Sequence, residues 1–281
     1  MIQASRAWAR RVAPYPVRVA VARLRHLPAR LLQWPATARR RDPELDAPFV
    51  LARRVSPLVR TVAAGAPAWP SAEEAANVRA AAARVDGLVI APHQVMSFLW
   101  TVGWPARWRG FRPGLELHDA RPTLAIGGGT CKVSNLVYQL ALAGGMRVIE
   151  RHRHALDLFP DRDRTAPFAL GATVAYNHAD LRFANPLAAP VTLRLTVRDG
   201  ELVGELRTAR DPGWRVEVVE HDHRFVREPD GWWRENRIRR RIVRVDGTLL
   251  CDQEIAHNRA RVMYDPALVL PAPTEATCSA A

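Results

Sequence analysis

Three Asp-Gly pairs, Asp199-Gly200, Asp230-Gly231 and Asp246-Gly247, constrain this chain more than any other feature, because each stands between runs of strand-forming residues. Such a loop needs positive φ, which Gly adopts freely and Asp tolerates, and it sends the chain back antiparallel. Val191 to Val197 is therefore expected to pair with Glu201 to Arg207, with two more hairpins after them. Thr173 to Tyr176 and Leu181 to Ala184 read as further short strands. The arginines from Arg237 to Arg244 interrupt this pattern without abolishing it, so the C-terminal part is expected to be a β extension with a solvated basic face.

Upstream the periodicity changes. Ser71 and Glu74 form a capping box, and Ala75, Val78, Ala82 and Val85 share one face of the helix it opens, which Asp86-Gly87 ends. Leu88 to Ile90 follows as a short buried strand. Gly127-Gly128-Gly129 breaks the chain, and Leu136, Val137, Leu140 and Ala141 recur at helical spacing before Gly144-Gly145 stops the run. Met146 to Phe159 alternates as a strand would, with His152 and His154 on the same face. The expected class is α+β: one main domain with a cysteine at a helix N-terminus packed on a mostly antiparallel sheet, plus a C-terminal β-hairpin extension. The expected boundaries are a basic Arg- and Pro-rich arm and linker over 1–48, the domain over 49–210, the extension over 211–270 and a tail over 271–281.

The 281 residues are 48% apolar, enough for a substantial core. The net charge is +13, and Lys132 is the sole lysine among 41 basic residues. So much arginine suits nucleic acid or an anionic membrane surface. Yet the arginines run from Arg6 to Arg261 without a stripe of lysines and interleaved aromatics, which argues against nucleic acid and for coding bias. Cys131, Cys251 and Cys278 are too few and too odd for a disulfide framework, so a reducing compartment is expected. An export signal needs about 7 to 15 uninterrupted apolar residues. Pro14 and Pro16 break Val12 to Val17, and Arg18 and Arg23 flank Val19 to Ala22. A cytoplasmic protein is the expectation. Residues 17–34, with Arg18, Arg23, Arg25 and Arg30 among Val, Leu and Trp, could form a basic amphipathic helix on an anionic membrane or pack on their own domain.

Cys131 follows the glycine run and Thr130, in the first turn of a helix. The helix dipole and uncommitted N–H groups there favour a thiolate, and the N–H groups of Gly127, Gly128, Gly129 and Thr130 could hold an oxyanion. His152 and His154 are the candidate bases, with Asp157, Asn177 or Asp180 as the group that orients them. Arg151 or Arg153 could take a substrate carboxylate bidentately. Zinc ligation by Cys131, His152 and His154 lacks the usual paired spacing, so neither metal nor cofactor is expected.

Pro92 to Phe98, Gly127 to Tyr138 with Lys132 and Ser134, Glu150 to His154, and Gly171 to Asn177 together closely resemble the VanW family, and the resemblance extends over about residues 50 to 210. It includes Asp157, Phe159 to Asp161, Pro167-Phe168, Asp180-Leu181 and Asn185. The family takes its name from a gene that accompanies vancomycin-resistance clusters, and some of its domains are linked to L,D-transpeptidase activity in peptidoglycan. The resemblance implies Cys131 as nucleophile and a peptidoglycan stem peptide or precursor as partner. The family commonly has Gln and Ser where this chain has Lys132 and Ala155. The rival expectation is a non-catalytic binding protein for a cell-wall precursor or a membrane-proximal partner.

Overall fold

The computed structural model describes residues 21, 24–25, 27–28, 30–32, 34–45, 47–58, 72–118, 121–153, 155–157, 160, 166–175 and 178–269. His154, Asn177, Tyr176, Ser71 and Cys278 lie outside them. Contacts divide the chain into two compact units. One spans Met1–Val59, Pro70–His152 and Gly171–Pro212, and the other Arg60–Trp69, Arg153–Leu170 and Gly213–Ala281.

In the first unit, β1 (Phe49–Pro57), β10 (Glu201–Thr208), β9 (Val191–Arg198) and β2 (Leu88–Ile90) form one sheet in that order, all antiparallel. The Asp199-Gly200 turn closes β9 on β10 with φ of 51° and 75°, as expected of a two-residue loop. A second sheet has the order β3 (Val95–Ser97), β8 (Arg182–Ala184), β6 (Arg147–Glu150). β4 (Pro113–His118) and β5 (Arg121–Ile126) make a separate hairpin.

Three helices cover these strands: α1 (Ala72–Val85), the short α2 (Phe98–Val102) and α3 (Cys131–Ala143). Most of the apolar stripes read from the sequence are buried. Val78, Ala82 and Val85 of α1 and Leu136, Val137, Leu140 and Ala141 of α3 are all at most 2% exposed, whereas Ala75 is only half-buried and Ala81 takes a core position in α1. α3 approaches β10 closely at Gly204, where a side chain would run into Leu136 and Leu140. Part of the N-terminal arm belongs to this packing. Thr37 bridges Val95, Arg41 bridges Leu88, and Ala38 and Ala47 are buried.

The second unit is built on three long antiparallel strands, β11 (Trp214–Glu228), β12 (Gly231–Arg244) and β13 (Leu249–Val262), turned at Asp230-Gly231 and Asp246-Gly247. β7 (Leu156–Asp157) adds a parallel strand beside β13. The basic face is solvated and cross-paired: Arg237 meets Glu254, and Arg239 meets Asp252.

Two expected elements are corrected. Thr173 to Tyr176 is not a strand among the described residues, since Thr173 and Ala175 make only isolated bridges, to His152 and Ala179. Residues 146–159 are not a single strand, because β6 pairs with β8 in the first unit whereas β7 pairs with β13 in the second. Between them His152 makes only an isolated bridge to Thr173.

Candidate functional site

The turn before Cys131 is shaped by contacts that leave no room for side chains. Gly127 and Gly129 have φ of 91° and 90°, values that glycine adopts without strain. A Cβ on Gly128 would lie 2.1 Å from the Gly114 backbone of the β4–β5 hairpin, and one on Gly127 would lie 2.5 Å from Pro105. α1 holds both pieces. Buried Asn77 donates to the carbonyls of Gly128 and Arg112 at 2.8 and 2.9 Å and accepts from the Arg112 N–H, while Glu74 accepts from the Leu115 N–H. The glycines thus admit the chain's own hairpin.

Several N–H groups expected to face a ligand are committed to carbonyls. Gly127 donates to Arg112, Gly128 to Ala125, Thr130 to Gly127 and Lys132 to Gly129. Among the described residues, the Gly129 N–H has no hydrogen-bond partner, while the Cys131 N–H meets its own sulfur. Thr130 gives α3 no side-chain cap, its hydroxyl donating back to the Gly127 carbonyl.

Cys131 is half-buried, and its thiol donates to the Val174 carbonyl at 3.6 Å. Burial pushes the thiol above its ordinary value, the bond to Val174 works the other way, and the Glu116 carboxylate of β4 raises it further. The expectation of a depressed thiol is corrected: desolvation of the sulfur outweighs the helix N-terminus. Val174 is held in place from α3. Ser134 donates to the Ala172 carbonyl at 2.6 Å, and Asn135 accepts from the Ala172 N–H at 2.7 Å. Asn135 was not foreseen, although Gly171 marks its position, since a Cβ there would meet the Asn135 oxygen at 2.7 Å.

The same segment carries the bridge to His152, whose carbonyl accepts from the Thr173 N–H at 2.9 Å. The His152 side chain is 46% exposed and its Nε2 lies 3.1 Å from Glu150 Oε1. Glu150, a residue not foreseen, is held down to about 2: burial alone would raise it, but hydrogen bonds from Arg30 and His152 and the Arg30 charge overcome that. Asp180 lies close by. It is wholly buried, accepts from Ser97 Oγ at 2.6 Å and the Leu99 N–H at 2.9 Å, and stands 3.3 Å from Arg30. Burial pushes its carboxyl up to about 6 despite these bonds.

Lys132 turns away from the thiol and donates to the carbonyls of Pro57 and Leu58 at the end of β1. Arg151 donates to the Gly171 carbonyl at 2.8 Å with its guanidinium over the Tyr138 ring. Arg153 and Asp157 belong to the second unit. Arg153 donates to the Arg259 carbonyl, and Asp157 accepts from Arg234 at 3.1 Å and from the Tyr264 hydroxyl at 2.6 Å. No cluster of three or more His, Cys, Asp or Glu that could hold a metal occurs among the described residues. The missed groups Glu74 and Asn77 did leave a trace in the sequence, being polar residues on the buried face of α1.

Residues 73–207 match the family model described as VanW like protein. The chain is 23% identical over 189 residues to the vancomycin B-type resistance protein VanW of Enterococcus faecalis, covering 67% of this chain and 69% of that protein. It is 25% identical over 130 residues to the uncharacterized protein YoaR of Bacillus subtilis, covering 45% of this chain and 40% of the relative. No solved structure matches.

Proposed function

From the match of residues 73–207 to the VanW family model and the likeness to the vancomycin B-type resistance protein, we propose that the chain acts on the cell wall or in the response to glycopeptide antibiotics, and that the turn at Cys131 performs acyl transfer on a peptidoglycan stem peptide or its precursor. The observation that carries this reading is the Gly129 N–H, which has no partner among the described residues and lies two residues before the thiol at the start of α3. An oxyanion formed beside the sulfur could draw on that donor and on the Cys131 N–H, which meets its own sulfur.

In this reading a histidine base takes the thiol proton and the thiolate adds to a substrate carbonyl carbon. The resulting oxyanion is held by backbone N–H groups. Its collapse breaks the C–N bond, and the leaving amine departs with the proton from the histidine. An incoming amine then attacks the thioester and gives up its own proton to the histidine, which returns it to the departing thiolate. Arg151 would take the substrate carboxylate. The test is exchange of a D-amino acid into muropeptide stems by the full chain. Wild-type exchange that Cys131→Ala abolishes supports the reading, and full exchange by that variant sinks it.

The thiol's raised value favours a second reading, in which the turn binds a cell-wall precursor and catalyses nothing. Iodoacetamide separates the two. Binding alone predicts that Cys131 reacts no faster than Cys251 when stem peptide is present, whereas acyl transfer predicts faster labelling as the substrate's arrival activates the thiol.

A further inference from the structure

Five exposed large apolar side chains of the first unit fall within one short segment. The described residues between 21 and 32 are helical, and Val21, Leu24, Leu27, Leu31 and Leu32 are exposed, Leu24 at 68% and Leu32 at 83%. At about 100° per residue these five fall within one arc of roughly 140°, Arg30 lies outside it, and Arg25 flanks it. Arg30 is the buried anchor, donating to both oxygens of Glu150 at 2.7 Å. The helix is therefore fastened by one arginine and turns its leucines outward.

The apolar surface continues past the helix. Trp34 packs edge-on against Trp100 of α2 with ring centroids 4.4 Å apart, and the Arg39 guanidinium covers Trp34. The loop after α2 carries Trp104 and Trp108, the latter 86% exposed. That loop is rigid: Arg109 donates to the carbonyls of Trp104 and Val102 at 2.7 and 2.8 Å, and Arg84 donates to the Arg109 carbonyl. The Arg109 guanidinium also lies over the Trp108 ring, 5.8 Å from its centroid, and a loop held in this way loses less ordering entropy on contact than a mobile one.

Charge decides what this surface fits. Residues 1–41 and 87–115, the two segments that supply it, contain no Asp or Glu, and the whole chain carries +13. Exposed leucines, tryptophans at the edge and arginines able to reach outward are the pattern of a protein lying in a membrane interface. No described helix is long and apolar enough to cross a membrane, so the contact is with one face.

We propose that this surface, Leu24, Leu27, Leu31 and Leu32 with Trp34 and Trp108, docks the chain on a bilayer that carries anionic lipid. The test is co-sedimentation of the full chain with phosphatidylcholine vesicles that contain phosphatidylglycerol, and with phosphatidylcholine vesicles alone. The expected result is salt-sensitive binding to the anionic vesicles, weakened about tenfold or more by Leu24→Glu with Leu31→Glu and by Trp108→Ser, because each removes apolar area that the interface would bury. Circular dichroism of these exposed-site variants should match that of wild type. Binding that the variants retain in full overturns the proposal, as does equal, salt-insensitive binding to both vesicle types. A solution dimer split by Leu24→Glu with Leu31→Glu would assign the surface to a second copy and also overturns it.

Discussion

Arg30 grips Glu150 with two parallel hydrogen bonds of 2.7 Å, across 120 residues of sequence. Such forked pairs are strong because the guanidinium matches the carboxylate in shape and charge. Glu150 in turn faces His152, so the grip fixes the carboxylate behind one candidate base and docks the N-terminal helix at the same time. Replacing Arg30 by Ala takes the nearest counter-charge from buried Asp180 and leaves Glu150 with the Arg182 guanidinium at 3.6 Å. It should cost about 2 kcal/mol, discounted from a fully buried pair because Glu150 is partly exposed. A urea titration of the first unit's transition would check this.

Asp180 and Glu150 give the first unit opposite responses to pH. Asp180 rises from 3.8 to about 6 on folding, so its contribution is complete below pH 3.8 and is lost as pH climbs through 6. Glu150 falls from 4.5 to about 2, so its contribution is complete above pH 4.5 and is lost as pH drops through 2. Between pH 4.5 and 6 the Asp180 response is not offset by that of Glu150, and stability should decline by on the order of 2 kcal/mol. Asp180→Asn should flatten that decline, measured as the urea midpoint against pH.

The glycines of the first unit are not equivalent. Gly110 has positive φ but open space around its Cβ position, so Gly110→Ala should cost only the backbone strain, about 1 kcal/mol. Gly128→Ala must push back the Gly114 backbone and should cost about 3 kcal/mol or prevent folding. Thermal melts of the two variants side by side would show the order.

Much of the fold was legible because it is written locally. The Asp-Gly turns, the stripe of α1 and the stripe of α3 each lie within a few residues of sequence, and all three match the structure. What escaped the sequence depends on distant partners. The alternation of residues 146–159 gave no hint that β6 pairs with β8 but β7 with β13. Arg30 looked like one more basic residue of an amphipathic arm, and only its distant carboxylate makes it an anchor. The thiol was misjudged for the same reason. Its position at a helix start is local, whereas burial and Glu116 on the preceding hairpin are not.

Glu116 offers a direct handle on the thiol. Removing its charge by Glu116→Gln should lower the Cys131 value and speed alkylation at neutral pH. Mass spectrometry of the Cys131 peptide after timed iodoacetamide exposure would give the rate. Cys251 in the second unit serves as the internal standard, and its rate should not change.

The central claim is that Cys131 carries an acyl group during turnover. Incubating the full chain with a tetrapeptide muropeptide, quenching in acid and sequencing the Cys131 peptide by tandem mass spectrometry tests it most directly. The account predicts a thioester adduct on Cys131 that hydroxylamine removes and that Cys131→Ser fails to form as a thioester. Product formation by wild type with Cys131 unmodified at every time point, and retained by Cys131→Ala, would contradict it.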